Sequence, residues 1–214
     1  MLFNQTSKER GSALIISLIF LVLLTIVGLS ASNMSNMEER MTANFRDHEL
    51  AFQAAEAALV EAEKWVGSNG TSFALTDMYT TSASNSTSTC STTTSANCFT
   101  QNCDGGLCFT GTFPASGTPI SDCTVGSDNP WEDWALWDDA NKVKTVGTDI
   151  DTAFIQAKYI VEFRCFFPLD PSNAEPDPNN YNEWAPGFRI TVLASGSTAD
   201  SKIMLQSIYK RDQL

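Results

Sequence analysis

Six cysteines are the residues in this chain whose type and spacing could do chemistry: Cys90, Cys98, Cys103, Cys108, Cys123 and Cys165. An even number of thiols in an oxidising compartment forms disulfides, and six allow fifteen connectivities. Zinc is the competing chemistry, because Cys98, Cys103 and Cys108 are evenly spaced. No C-x-x-C pair accompanies them, and the single histidine, His48, lies far away in the chain. Disulfides are therefore the favoured reading and no metal is expected. The carboxylates of Glu132, Asp133, Asp138, Asp139, Asp149 and Asp151 could attract calcium. They lack the EF-hand spacing with its Gly and final Glu, so a solvated acidic face is the better reading. Catalysis finds no footing. There is no G-x-S-x-G, H-E-x-x-H or P-loop pattern, no pair of carboxylates is set apart from the others, and His48 falls on an apolar helical seam between Phe45 and Phe52. Neither an enzyme nor a bound cofactor is expected.

The compartment of those cysteines is set by the start of the chain. From Ser12 to Met37 there is no charged residue, and Ala13 to Ala31 is an apolar run that includes Leu14, Ile16, Phe20 and Leu24. As a helix it spans about 28 Å at ~1.5 Å per residue, close to the hydrocarbon thickness of a bilayer. Lys8 and Arg10 precede the run and Glu38 and Glu39 follow it. Positive flanks stay in the cytoplasm, so the remainder would be exported. The run is longer than a signal-peptide core and no small-x-small site closes it cleanly. A plain signal anchor passes the same test.

The helical pattern continues past the apolar run. Met34, Met37, Met41, Phe45, His48, Phe52, Ala55, Leu59, Ala62 and Val66 follow at steps of three or four, with Glu39, Arg46, Glu49, Glu56 and Glu63 on the other side. No Pro or Gly interrupts Leu29 to Val66. One helix of some fifty residues is expected, with residues 12–32 apolar throughout and 33–66 amphipathic.

Two segments carry a resemblance. Arg10-Gly11-Ser12-Ala13-Leu14-Ile15 resembles the leader and cut site of type IV prepilins. Met37-Glu38-Glu39-Arg40-Met41-Thr42-Ala43-Asn44, with Ala51-Phe52-Gln53-Ala54-Ala55-Glu56-Ala57-Ala58-Leu59, resembles the N-terminal helix of the PilX family of minor pilins. Ile203 to Tyr209 is similar to that family's last strand. The resemblance implies a leader at 1–11 cut between Gly11 and Ser12, and N-methylation of Ser12. It implies an inner-membrane protein, with its head in the periplasm, that passes to a surface pilus. Its implied partners are a prepilin peptidase, the membrane assembly machinery, other minor and major pilins through the helix, and a tip adhesin. Major pilins carry Glu at the fifth residue after the cut, where this chain has Ile16. A carboxylate in lipid is costly unless paired, so its lack fits a subunit at or near the tip. A type II secretion pseudopilin, or a signal-anchored periplasmic binding protein, is the alternative.

The rest of the chain, 67–214, is expected to be a globular head. Net charge is −12, most of it beyond Val66, which argues against nucleic acid as a partner. Residues 67–102 are rich in Ser and Thr and read as a long solvated loop. Residues 103–153 form a Cys- and Trp-rich region, in which Trp131, Trp134 and Trp137 read as one face of a short helix packed on the core. Residues 154–214 read as an antiparallel sheet with strands near 157–167, 188–194 and 203–209. On the first, Tyr159, Val161, Phe163, Cys165 and Phe167 are expected to share one face, with Ile160, Glu162, Arg164 and Phe166 on the other. On the second, Phe188, Ile190, Val192 and Ala194 point inward. The small residues Ala54, Ala55, Ala58 and Ala62 would let the helix lie close on the single apolar face. The fold class expected is α+β, a pilin-type helix on an antiparallel sheet.

Overall fold

The computed structural model describes residues 12–68, 99–110, 123, 129–150, 153–173, 175–177, 180–198 and 200–211. The chain divides into two compact units, Met1–Arg46 and Asp47–Leu214. Helix α1, Ser12–Ser68, begins in the first and ends in the second. At 57 residues it is longer than ordinary globular helices.

In the first unit the described part is helix alone. Its hydroxyls are satisfied within the helix: Ser17 Oγ donates to the Leu14 carbonyl at 2.9 Å, Thr25 Oγ1 to Val22 at 2.7 Å and Thr42 Oγ1 to Glu38 at 2.8 Å. Such back-bonding removes the polar groups that would otherwise need water.

The second unit, the head, is a helix on a five-stranded sheet. The strands are β1 (Leu107–Cys108), β2 (Lys144–Ile150), β3 (Ala153–Pro168), β4 (Trp184–Ser195) and β5 (Lys202–Lys210). Their order is β1-β3-β4-β5, with β2 also on β3. Three of the four pairings are antiparallel, while β1 runs parallel to β3, Leu107 opposite Val161. The sheet is therefore mixed rather than purely antiparallel, and the region 103–153 contributes two strands to it.

The register explains the core. Phe163 pairs with Phe188, but Cys165 pairs with Gly187, so Arg164 is the extra residue of a bulge. A bulge exchanges the faces of everything after it. Phe166 thus joins Tyr159, Val161 and Phe163 on the helix side, and Cys165 moves to the far side. This corrects the simple alternation expected for Cys165, Phe166 and Phe167. Phe163 is packed by Phe99, Phe109, Phe166 and Phe188, with ring centroids 5.1–6.2 Å apart. Aromatic clusters of this spacing add edge-to-face attraction to the buried area. Phe99 falls inside the stretch read as a solvated loop, yet it is fully buried. Residues 69–98 of that stretch lie outside the described residues.

Ala51, Ala54, Ala55, Ala58, Ala62 and Val66 form the buried stripe of α1. Its phase differs from the expected seam: His48 is exposed and Phe52 and Leu59 are only half-buried. The stripe ends in Asp47, a polar residue that the apolar pattern passed over.

The sheet has two covered faces, not one. On the far side Ile160 and Leu193 pack with Cys103, Cys108, Leu136, Trp137 and Val143. The three tryptophans do not share a helical face. A 3-10 turn, Pro130–Glu132, is separated by the extended Asp133 from the short helix α2, Trp134–Asp138. Trp137 is buried and donates Nε1 to the Trp131 carbonyl at 3.1 Å. Trp134 is exposed, with Lys202 Nζ 5.3 Å from its ring centre.

Candidate functional site: an uncovered apolar helix and the carboxylate that begins the head

Ser12 is the first helical residue, and Gly11 lies outside the described residues. Leu14, Ile16, Phe20 and Leu24 are all exposed, between 51% and 69%. The apolar window of α1 has a mean hydropathy of 2.8, and none of it is buried among the described residues. Met34, Met37, Met41 and Phe45 continue the exposed apolar surface beyond a bilayer's length. At about 25 cal/mol per Å² of apolar area, so long an uncovered surface in water is strongly unfavourable. This half of α1 is built to be covered by lipid or by other helices. Apart from its own helical turn, no atom of the described residues lies within 4 Å of where a Cβ on Gly28 would stand.

Asp47 opens the head. Its Oδ1 accepts from the Ser197 amide and hydroxyl, each at 2.5 Å, and from the Thr198 amide at 3.3 Å. Its Oδ2 accepts from Thr198 Oγ1 at 2.5 Å. The hydroxyl of Ser197, then that of Thr198, holds the carboxyl below the usual aspartate value, against an opposing push from burial. Gly196 makes the approach possible, because a Cβ there would stand 2.5 Å from Asp47 Oδ1. At the other end of the stripe Ser207 Oγ donates to Glu63 at 2.7 Å, and Lys144 Nζ sits 4.4 Å over the Trp65 ring. Burial lowers the Lys144 pKa, and it raises that of Tyr159 to about 12, with Glu61 adding to the rise.

On the far face, Glu162 is fully buried between Arg164 Nη1 at 2.7 Å and Arg189 Nη2 at 2.6 Å. Thr110 Oγ1 also donates to it, Arg164 Nη2 donates to the Cys123 carbonyl, and Arg189 reaches Asn129. Beside this cluster Cys123 is bonded to Cys165, and Cys103 is bonded to Cys108. The last pair takes two of the three thiols that a zinc reading would need. Cys90 and Cys98 lie outside the described residues. A cavity of about 540 Å³ opens next to this region, lined by Asn102, Thr110, Asn129, Glu132 and Lys142 among others. No group of three metal-ligating side chains occurs among the described residues.

Two family models match the chain. PilX N-terminal covers residues 10–60, and type IV pilus assembly protein PilX C-term covers 69–211. The chain belongs to the PilX family. That makes it a minor pilin of type IV pilus assembly, a structural component with an apolar N-terminal helix suited to a membrane and to other pilus subunits. Neither the curated proteins nor the solved structures compared with the chain gave a match. The two PilX models meet near the end of α1, so the membership covers helix and sheet together.

Proposed function

We propose that this PilX-family chain helps to start and build a type IV pilus from a place at or near the tip, and so supports twitching motility and adhesion. The observation that carries the reading is the helix: apolar, uncharged from Ser12 to Met37, exposed among the described residues, and matched to the family's N-terminal model. Ile16 in place of a carboxylate is consistent with a subunit that has no neighbour ahead of it. In this reading a prepilin peptidase cuts between Gly11 and Ser12, and Ser12 is methylated. The head lies in the periplasm before assembly. The apolar helix then leaves the inner membrane and packs with major and minor pilin helices, exchanging one apolar environment for another. A tip adhesin is a further partner.

The test is the mass of the N-terminal peptide of the native protein. A peptide that begins at Ser12 with one added methyl group is the expected result. A peptide that retains Met1 to Gly11 would overturn the processing step. Gly11→Val should keep the protein in the membrane and abolish surface pili. A deletion strain assayed for both secretion and twitching separates a pilus role from a type II secretion role.

A further inference from the structure

We propose that Asp47 is a positioning residue for assembly, a tether that sets the register of the sheet on α1 at the point where the head begins. The inference rests on the assembly reading above and adds to it which residue makes the head a fixed load on the helix.

Three observations converge. The buried stripe of α1 is made of alanines from Ala51 to Ala62. Alanines allow close approach but offer little relief along the axis; the larger contacts on this part of α1 are Val66 and the half-buried Leu50, Leu59 and Trp65. Polar ties supply register where apolar contact does not. Such ties stand at both ends of this stripe, Asp47 to Ser197 and Thr198 at one end and Glu63 to Ser207 at the other. Asp47 is the stronger of the two by construction. Both its oxygens are used, and four donors from two consecutive residues converge on them. The turn is also shaped for it, since any side chain at Gly196 would meet its carboxylate and backbone oxygen. Finally, Asp47 is the first residue of the head unit, and from Met34 to Phe45 the large apolar residues of α1 are exposed. A tether placed there stops the end of the packed helix from fraying from the turn.

The experiment uses the full chain in detergent and reads amide hydrogen exchange in wild type, Asp47→Ala, Asp47→Asn and Gly196→Ala. Asp47→Ala should raise exchange over residues 47–55 and the β4–β5 turn by roughly tenfold or more, the sign of local opening, with β3 and β4 unchanged. Gly196→Ala should reproduce it by expelling the carboxylate. Asp47→Asn should rescue part of the protection, because its amide oxygen still accepts. In cells, Asp47→Ala should be processed and reach the membrane at normal level while pili fall in number. Unchanged exchange at 47–55 would overturn the tether. A rise spread equally over β3 and β4 would reduce Asp47 to a general stabiliser and also overturn it. Normal piliation with local opening would remove the assembly role. If the wild-type chain itself retains its leader and is absent from pili, the assembly reading fails, and the exchange result separates that failure from failure of the tether.

Discussion

Arg189 holds Glu162 across the β3–β4 pairing with two nitrogens on one carboxylate oxygen, Nε at 2.9 Å and Nη2 at 2.6 Å. Arg164 takes the other oxygen at 2.7 Å. A buried carboxylate between two guanidinium groups cannot be removed without leaving cations uncompensated. Glu162→Ala is therefore expected to cost about 3–5 kcal/mol of stability, the range found when one member of a buried ion pair is deleted. Denaturant unfolding checks it, and a loss below about 1 kcal/mol, the level of an exposed pair, would contradict the burial.

The two described disulfides close loops of different length, 42 residues apart for Cys123–Cys165 and 5 for Cys103–Cys108. Chain entropy scales with the logarithm of the loop, so breaking the first should cost about 4 kcal/mol and the second about 2 kcal/mol. Melting of Cys165→Ser against Cys108→Ser reads the order. Peptide mapping without reduction should recover both bridges. The other two of the six cysteines, Cys90 and Cys98, lie outside the described residues.

The Asp47 carboxyl has a folded pKa below its ordinary 3.8, through its bonds from Ser197 and Thr198. Its contribution to stability is complete above the unfolded value and disappears as pH falls through the lower folded one. The difference in melting temperature between wild type and Asp47→Asn should hold from neutral pH down to about 4 and close below that. Asp170, also lowered by its bonds from Ser172, is common to both proteins and cancels in the comparison.

Ala58 is fully buried between α1 and the sheet. Ala58→Leu should overpack the contact and cost about 1–3 kcal/mol. Val60, exposed on the same helix, is the control, and Val60→Leu should change stability by less than about 0.5 kcal/mol. Equal effects at the two positions would show that the helix does not pack by this stripe.

The long helix, the three long strands and the α+β class could be read from period alone, because each is a run whose apolar residues repeat without interruption. The close alanine contact could be read too, since four small residues at helical spacing have few other uses. What escaped detection was set by single residues. The bulge at Arg164 leaves no mark in the run of Phe, Arg and Cys, yet it reverses the faces beyond it. β1 is two residues long and β2 contains Gly147, so neither shows a strand period. The tryptophan spacing imitated a helix. Pro130 and Asp133 are start signals that could have divided it, and Asp133 does cap α2 by accepting from the Ala135 amide at 2.9 Å. Asp47 was invisible for a different reason. A carboxylate on a helix is read as a solvated surface residue unless its donors are known, and Ser197 and Thr198 lie 150 and 151 residues away.

The placement of these ties has a mechanical meaning. Within the head, α1 lies against the sheet through a stripe of alanines bordered by Leu50, Leu59, Trp65 and Val66, with a polar fastening near each end. A pull along the helix axis loads this contact in shear. The hydrogen bonds of Asp47 and Glu63 lie in the path of that load, beside the apolar contacts of Leu50, Leu59 and Trp65. Bonds loaded in parallel in shear rupture together and resist far more than bonds peeled one after another. Strand β4, held between β3 and β5, would then receive the load through the turn that Asp47 grips.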